Sequence, residues 1–422
     1  WTIVNAAVGV TGVFNNLDQN MPFVDLALSY DRNHVYIDAK RNAVAFCDVA
    51  VTSNQCATGN GIESTGVGNT VYDLVASLTD ETSARQAFDA LSGEIHASAK
   101  SALIEDSRFI RNAANDRLRA AFGDAGASVT SVLAYGSQGA PVAVAATHSG
   151  PVFWTQGFGS WGSTDGDGNA RGMDRNTGGL LIGADTMLGD WRAGVLSGYS
   201  HSRIKGDNGS GSVSSDNYHL GLYAGTNWGN VNLRSGMAYT WHNVDAGRFV
   251  AIPGLEEQLK ADYSAGTFQV FGELGYDISL KNGLRLEPFA NLAHVSLHTN
   301  GFSETGGAAA LNSQSSNTNV TFTTLGLRGE SGVAFGDTQA TLRGMAGWRH
   351  AVNGAVPEAA FAFSAGNDFT IAGAPLAKDS AVIEAGLDFN FKPNATIGLS
   401  YTGQYSGSAQ DHGFKADFKM KF

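Results

Sequence analysis

The last nine residues, Phe414-Lys415-Ala416-Asp417-Phe418-Lys419-Met420-Lys421-Phe422, alternate apolar and charged side chains without a break. Since a β-strand has a side-chain period of two, Phe414, Phe418, Met420 and Phe422 share one face and the charged side chains share the other. In a soluble sandwich the apolar face would lie on a core, whereas in a transmembrane barrel it would face lipid. One strand does not separate these two folds, so the decision depends on how often the pattern recurs.

The same alternation recurs throughout residues 151–422. In one segment Phe268, Val270 and Leu274 face one way, while Gln269 and Glu273 face the other. Strands of about ten residues or more are long enough for a tilted crossing of the hydrocarbon layer. The twelve predicted strands are 152–161, 176–188, 190–203, 213–227, 230–244, 262–280, 284–298, 317–335, 338–352, 380–392, 395–405 and 411–422.

Short and long connections alternate between these predicted strands. The short ones are Gly189-Asp190, Trp228-Gly229-Asn230, Lys281-Asn282-Gly283, Gly336-Asp337 and Lys392-Pro393-Asn394. The long ones are 162–175, 204–212, 245–261, 299–316 and 353–379, with a shorter one near 406–410. This asymmetry is typical of an outer-membrane barrel, which has tight periplasmic turns and longer outer loops. We therefore predict an all-β fold with a helical segment, built on a twelve-stranded antiparallel transmembrane β-barrel.

The composition excludes several other classes of protein. No stretch reaches the roughly 18 consecutive apolar residues of a spanning helix, which excludes a helical membrane protein. A formal charge of −12 and a pI near 5.2 argue against a nucleic-acid partner. The sequence contains no G-x-x-x-x-G-K, H-E-x-x-H or G-x-S-x-G motif, and the segment 165–169 resembles a calcium loop without its required glycine and glutamate. We predict no cofactor and no metal site.

Aromatic side chains lie near many of the predicted strand ends. There, amphipathic rings would sit at the level of the lipid headgroups. These side chains are Trp154, Trp161, Trp191, Trp228, Trp241, Trp348, Tyr401, Tyr405 and Phe422.

Upstream of the predicted barrel the sequence falls into three segments with different residue patterns. Residues 1–66 are strand-like and rich in turns, and Trp1 is not an initiator, so we expect a piece of a longer protein. Residues 67–122 have helical periodicity, with a first helix around 71–78, a second over Glu81–Leu91 and a third from Glu94 to about Phe122. Residues 123–150 are small and polar, which predicts a linker.

The pairing of the two cysteines and the surroundings of an arginine cluster, all upstream of the barrel, each allow two alternatives. Cys47 and Cys56 are the two cysteines of the chain, and their spacing fits either a small disulfide loop or a pair of free thiols. Arginines cluster near the end of the third helix, where they face either solvent or a barrel lumen that carries Glu273, Asp277, Glu384 and Asp388. The clustered arginines are Arg108, Arg111, Arg117 and Arg119.

Five stretches of the chain are similar to those of a known protein family. The most specific one is Ala90-Leu91-Ser92-Gly93-Glu94-Ile95-His96-Ala97-Ser98. The others are Val51-Thr52-Ser53-Asn54-Gln55, Ser107-Arg108-Phe109-Ile110-Arg111, Arg117-Leu118-Arg119 and Trp154-Thr155-Gln156-Gly157-Phe158-Gly159-Ser160-Trp161-Gly162. With these stretches, nearly the whole chain resembles the translocator unit of type Va autotransporters.

The resemblance implies a division of the chain into four parts. Residues 1–66 would be the β-helical, autochaperone-like end of a secreted passenger, and 67–122 a helical linker whose last part threads the lumen. Residues 123–150 would be a further linker, and 151–422 the barrel that exports and anchors the passenger. The resemblance also implies a monomer in outer-membrane lipid with its amino-terminal part at the cell surface. The barrel assembly machinery would recognise the terminal strand through Phe414, Phe418, Met420 and Phe422.

Some autotransporters cut their own linker through an asparagine side chain that attacks its own backbone carbonyl. Asn112-Ala113 has the expected position late in the third helix, and Asn115-Asp116 is a second candidate. An uncut polar helix is the alternative that we favour, so no enzyme is predicted here. Two other functions stay open: a surface adhesin or passenger-enzyme remnant, and a passive porin, which would not need the helical segment.

Overall fold

The computed structural model describes residues 1–127, 132–135, 141–209, 211–335, 338–353, 356–392 and 395–420. The amino-terminal strands β1 (Thr2–Asn5), β2 (Val24–Tyr30) and β3 (His34–Arg41) form a small sheet in the order β1-β3-β2. The helices that follow are α1 (Ser53–Glu63), α2 (Thr70–Ala76), α3 (Glu81–Leu91), α4 (Glu94–Asp106) and α5 (Arg108–Phe122). Within these ranges, no helix combines the length and the apolar character needed to cross a membrane.

The rest of the described chain consists almost entirely of strands. In order they are β4 (Val132–Tyr135), β5 (Pro141–Val144), β6 (Val152–Thr164), β7 (Met173–Leu188), β8 (Trp191–Gly206), β9 (Ser212–Trp228), β10 (Val231–Ile252), β11 (Leu255–Tyr276), β12 (Ile278–Ser279), β13 (Arg285–Thr299), β14 (Phe302–Ser303), β15 (Leu311–Ser313), β16 (Ser316–Phe335), β17 (Thr338–Ala351), β18 (Glu358–Phe363), β19 (Phe369–Ala372), β20 (Asp379–Lys392), β21 (Ala395–Tyr405) and β22 (Ala409–Met420).

Twelve of these described strands form the barrel: β6 to β11, β13, β16, β17 and β20 to β22. Each pairs antiparallel with the next barrel strand along the chain. Ala409–Phe414 of β22 pair with Gly159–Thr164 of β6, and this pairing closes the sheet. The predicted twelve-stranded antiparallel barrel is confirmed.

The two ends of the barrel differ in the length of their connections. Leu188 pairs with Trp191 and Trp228 pairs with Val231, so each of these hairpins turns through two residues. The first turn residue is Gly189 or Gly229, with φ of 64° and 62°, a backbone region that favours glycine. We call this the short-turn end and the opposite one the long-loop end.

The outer face of the barrel is apolar between two rows of aromatic side chains. Tyr199, Tyr218 and Trp241 are neighbours in register on β8, β9 and β10. At the short-turn end, the ring centroids of Trp191 and Trp228 lie 6.0 Å apart. The stretch of β9 from Tyr218 to Trp228 matches the about 9–11 residues of a tilted membrane-crossing strand. Exposed apolar side chains between the rows include Leu180, Val195, Leu222, Met237 and Val270.

Phe414 and Trp154 face opposite sides of the barrel wall. Phe414 points outward and is 54% exposed, whereas the side chains of Phe418 and Met420 and all of Phe422 lie outside the described residues. The prediction of Trp154 at headgroup level is wrong. Its side chain is buried inside the barrel, in one apolar cluster with Leu118 of α5, and its Nε1 donates to the Tyr223 hydroxyl at 2.7 Å. Trp154 alternates with the exposed Phe153, so it lies on the lumen face of β6, where it finds its partner.

Leu222→Arg tests the assignment of the lipid-facing belt. Leu222 lies about midway between the two aromatic rows of β9, so we expect its replacement by arginine to cost ~2–4 kcal/mol in lipid. The free energy of unfolding would be measured by urea titration in vesicles. Ser214→Arg, beyond the aromatic row on the same strand, is the matched control and should change it much less. Equal effects of the two substitutions would contradict the assignment.

The strands β10 and β11 continue far beyond the membrane belt at the long-loop end. Each has 22 residues, and they meet at the turn Pro253-Gly254. Beside this hairpin, β14, β15, β18 and β19 form a second sheet from the loops 300–315 and 352–378. These two features build a platform above the lumen.

Residues 1–91, which we call the cap, rest on this platform. Phe46 and Phe88 of the cap belong to one buried cluster with Val250 and Leu259 of the hairpin and Phe361 of the loop sheet. Because one apolar core includes side chains from the cap and the barrel loops, the cap is packed on the barrel as part of a single folded unit.

Three local predictions in the amino-terminal half differ from the structure. The strand-like reading of residues 1–66 misses α1, whose Thr52 cap accepts a hydrogen bond from the Gln55 backbone N–H at 3.1 Å. The third predicted helix is interrupted at Ser107. The predicted linker 123–150 contains two short strands, and β4 adds to the barrel edge where Val132 and Leu133 pair with Trp154 and Phe153. The cap of α1 is a local signal that the sequence reasoning missed, whereas the partners of Ser107 and of β4 lie on other elements.

Candidate functional site: the helix in the barrel lumen

The helices α4 and α5, together called the lumen helix, run inside the barrel from the long-loop end to the short-turn end. Near the start, Glu94 accepts a hydrogen bond at 2.8 Å from the backbone N–H of Arg171, in the loop between β6 and β7. Just beyond the end, Asp124 accepts one at 2.9 Å from Asn227, beside the tight turn at Gly229. All residues of α4 except Glu105 are buried. This burial shows protein on every side of the helix.

Apolar contacts fill the space between the lumen helix and the wall in two layers. Towards the long-loop end, Ile95 and Leu103 share a buried cluster with Val244 and Phe322. Towards the short-turn end, Leu118 shares another with Leu196, Tyr223 and Phe271. The lumen helix therefore packs against the wall rather than standing in open water.

The interruption at Ser107 is held by a side chain of the wall. Gln269 on β11 donates from Nε2 to the Ser107 carbonyl oxygen at 2.8 Å, and Arg111 Nη1 donates to Gln269 Oε1 at 2.9 Å. The amide thus satisfies a carbonyl group at the junction of α4 and α5. The helical periodicity of the sequence alone predicts neither the interruption at Ser107 nor its contact with Gln269.

The structure places all four predicted arginines in the lumen. Arg117 binds both carboxylate oxygens of Asp185 on β7, at 2.7 and 2.8 Å, with both side chains almost fully buried. Arg108 binds Asp411 on β22. Arg119 binds Asp116 within the helix, and its Nη1 lies 3.9 Å from Glu273 Oε1. The alternative of a solvated arginine face is wrong for this structure.

The pairing also runs in the opposite direction, which the sequence reasoning missed. Carboxylates on or just after the lumen helix bind cations that project from the wall. These pairs are Glu105 with Arg349 at 2.9 Å, Asp106 with Arg175 at 3.3 Å, Asp116 with Lys415 at 2.6 Å and Asp124 with Arg234 at 2.5 Å. The strand alternation that placed Glu273 inward applies equally to Arg234, Arg349 and Lys415, so their signal was present in the sequence. Arg175 had been assigned to the long connection 162–175, whereas in the structure it lies on β7.

The predicted wall carboxylates bind mainly within the wall. Glu273 binds Arg234 at 3.0 Å and Arg328 at 2.8 Å, besides its longer contact with the helix. Asp388 binds Arg343 through two hydrogen bonds of 2.9 Å, and Asp277 lies 3.3 Å from Arg285. Buried ion pairs add little net stability because of their desolvation cost, but breaking one leaves an uncompensated charge. Such a network of ion pairs therefore favours one position of the lumen helix relative to the wall over others.

The proposed cleavage residue Asn112 lies half-buried on a lumen cavity of about 100 Å³. Asp116, Glu273 and Glu384 line the same cavity. Among the described side chains, no carboxylate forms a hydrogen bond with Asn112, and the Oδ1 atom of the buried Asn115 has no partner. Nor do the described residues contain a cluster of His, Cys, Asp or Glu that could hold a metal ion.

A buried group of polar side chains joins the platform to the start of the lumen helix. Glu304, between β14 and β15, binds Arg248 on β10 through two hydrogen bonds of 2.7 Å. The His96 Nε2 atom lies 2.9 Å from Glu304 Oε1, and the Leu311 backbone N–H donates to Glu304 Oε2 at 2.9 Å. Burial alone would raise the pKa of Glu304, but Arg248 and His96 lower it to about 2. We call this group of side chains the latch.

The structure joins Cys47 and Cys56 in a disulfide at the start of α1. We expect that neither thiol reacts with a maleimide under denaturing, non-reducing conditions when the chain is produced through an oxidising periplasm. Cys56→Ser should weaken the cap by ~2–3 kcal/mol, because a short closed loop is lost from the unfolded chain. Ser53→Ala is a control in the same helix. Labelling of both cysteines before reduction would contradict the prediction.

A family model described as the autotransporter beta-domain matches residues 153–402, which is more than half of the chain and lies within the closed barrel. The chain belongs to the autotransporter family. Its barrel is the translocator domain of an autotransporter, so it lies in the outer membrane and is not itself catalytic.

Relatives of this autotransporter are found by sequence and by structure. Two proteins of Serratia marcescens, each named an extracellular serine protease, are 32% and 31% identical to it over 465 residues, covering 100% of this chain and 43% of each relative. The chain therefore spans less than half the length of these relatives. The translocator domain of the autotransporter NalP from Neisseria meningitidis matches with a TM-score of 0.52 at 17% identity, covering 65% of this chain and 89% of that domain. This second likeness shows the fold alone.

Proposed function

We propose that this translocator exports its own passenger and then retains the passenger's carboxyl-terminal end as a cap over a plugged barrel. The observation that supports this most directly is the lumen helix, which follows the cap in the chain. Its arginines pair with carboxylates of the wall, and its carboxylates pair with cations of the wall. In this proposal the long-loop end and the cap lie at the cell surface. The tight turns lie in the periplasm, where the terminal strand is recognised during barrel assembly.

The passenger we propose is an extracellular serine protease. The support is the name of the two Serratia relatives and their match to the whole of this chain, including the cap. The cap would hold the end of the passenger on the barrel, so the structure fits a protease that stays anchored at the cell surface as well as one that is released. Residues 1–422 would supply export and anchoring, and the catalytic residues would lie in the passenger.

The proposal is tested by fusing a reporter protein with an epitope to Trp1, behind an export signal, in cells with an outer membrane. We expect the epitope to be accessible to antibody on intact cells. The control ends at residue 408 and so lacks β22, without which the sheet cannot close as a barrel. A barrel that is inserted in the outer membrane while the reporter remains in the periplasm would contradict the proposed export function.

We also infer that the lumen helix is not cut at Asn112-Ala113. The support for this inference is that no carboxylate is hydrogen-bonded to the Asn112 side chain among the described residues. The purified chain should migrate as one species of 44.1 kDa after full denaturation, with or without Asn112→Ala. Two fragments from the natural sequence, and one from Asn112→Ala, would show that cleavage takes place.

A further inference from the structure

Arg111 differs from the other arginines of the lumen helix in having no anionic partner. It is 6% exposed, and its hydrogen bond goes to the neutral amide of Gln269. In the part of the chain that the structure describes, no carboxylate lies within 4 Å of its guanidinium group. A buried charge without a counter-charge is costly, so the surroundings of Arg111 require an explanation.

The cavity of about 100 Å³ beside Arg111 is lined by more positive than negative side chains. Its described lining contains the carboxylates of Asp116, Glu273 and Glu384 and six cations. The cations are Arg108, Arg111, Arg119, Arg328, Arg349 and Lys415.

The three carboxylates on the cavity are already engaged by cations. Asp116 binds both Arg119 and Lys415, and Arg119 has a further, longer contact of 3.9 Å with Glu273. Glu273 binds Arg328, and Glu384 lies 3.9 Å from Arg343. Arg108 and Arg349 are compensated from outside the lining, by Asp411 and Glu105. The excess of positive charge is therefore concentrated around Arg111 and the pair that shares Asp116.

The cavity also offers room and neutral donors. A buried site needs roughly 10–15 Å³ of such volume to hold one water molecule, so several water-sized particles fit here. The side-chain amides of Asn112, Asn115 and Gln404 are on the lining and carry N–H groups that donate hydrogen bonds. Positive charge, amide donors and space for a small particle are together the features of an anion site.

We propose that this cavity binds a small monovalent inorganic anion such as chloride, with Arg111 as its main partner. The anion supplies the counter-charge that the wall does not provide and so stabilises the seated lumen helix. This inference does not rest on export of a passenger. It concerns the full chain folded in detergent or lipid.

The test compares chloride and bromide with gluconate, a much larger organic anion, at constant ionic strength so that screening is unchanged. The unfolding midpoint of the full chain should rise with chloride or bromide concentration and saturate, since an anion bound only by the folded state stabilises it. Arg111→Gln should abolish this rise and be no less stable than the natural chain in gluconate. Arg111→Lys, which keeps the charge, should retain the rise, and Arg85→Gln in the cap is the control for loss of an arginine.

Anomalous scattering from crystals grown in bromide gives a direct second readout. A bromide peak between Arg111 and Asn112 in the natural chain, lost in Arg111→Gln, is the expected result. Equal midpoints in chloride and gluconate would overturn the proposal, as would an anion effect that Arg111→Gln leaves unchanged. Export of a reporter passenger by Arg111→Gln is measured in parallel, so failure of the anion site and failure of the export function remain distinguishable.

Discussion

A variant that begins at residue 123, and so lacks the cap and the lumen helix, should form an open channel in planar lipid bilayers. In the full chain the lumen helix is packed against the wall along two apolar layers and bound by ion pairs of both polarities. Without the helix, the wall residues that it covers would line a water-filled path. We therefore expect stable conductance steps from this variant and an almost closed baseline from the full chain.

A variant that begins at Gly93 is the matched control for this experiment. It lacks the cap but retains α4 and α5, so it separates closure by the helix from closure by the cap. We expect its conductance to stay close to that of the full chain. Glu273, which is 3% exposed, should react with a soluble carbodiimide only in the variant that begins at residue 123. Equal conductance of the three proteins would contradict the role of the helix as a plug.

The second large effect is expected from Glu304→Gln in the latch. The substitution leaves the guanidinium group of Arg248, which is 2% exposed, without its carboxylate. Removal of one partner from a buried ion pair typically costs about 3–5 kcal/mol. Arg248 also donates a hydrogen bond of 3.1 Å to the carbonyl oxygen of Ala90 in the cap. We therefore expect the cap to unfold at lower urea concentration and to become sensitive to protease, while the barrel remains folded.

The control for the latch is Glu256→Gln, an exposed carboxylate on the same hairpin. It should leave protease resistance of the cap unchanged. A variant Glu304→Gln with the natural resistance would show that the latch does not hold the cap.

The latch also predicts a pH dependence with a definite sign. The pKa of Glu304 is lowered to about 2 in the folded protein, against about 4.3 in an unfolded chain. Its contribution to stability is therefore complete above about pH 4.5 and is lost as the pH falls towards 2. In the range where Glu304 ionises, the natural cap should lose resistance on acidification more steeply than Glu304→Gln does.

The recurrence of alternating segments and the asymmetry of their connections together predicted the barrel from the sequence. Membrane strands expose one face to lipid and the other to the lumen, so Phe268, Val270 and Gln269 report their facing without reference to any neighbour. The count of alternating segments gave the number of strands, and connection length distinguished the two ends. The position of Arg108, Arg111, Arg117 and Arg119 also suggested a helix in the lumen, because a polar lumen suits a helix that satisfies its own backbone.

The tertiary structure alone decided which groups meet inside the barrel. Arg175 and Asp185 lie at opposite ends of β7, and Arg349 lies on β17. Their distance from the helix depends on barrel closure and strand tilt, which no local pattern encodes. The cap was missed for the same reason: α1 is weakly amphipathic, and Phe46 becomes a core residue only because the hairpin and the loop sheet supply Val250 and Phe361. Periodicity fixes the face on which a side chain lies, whereas its partner is chosen by the closure of the whole sheet.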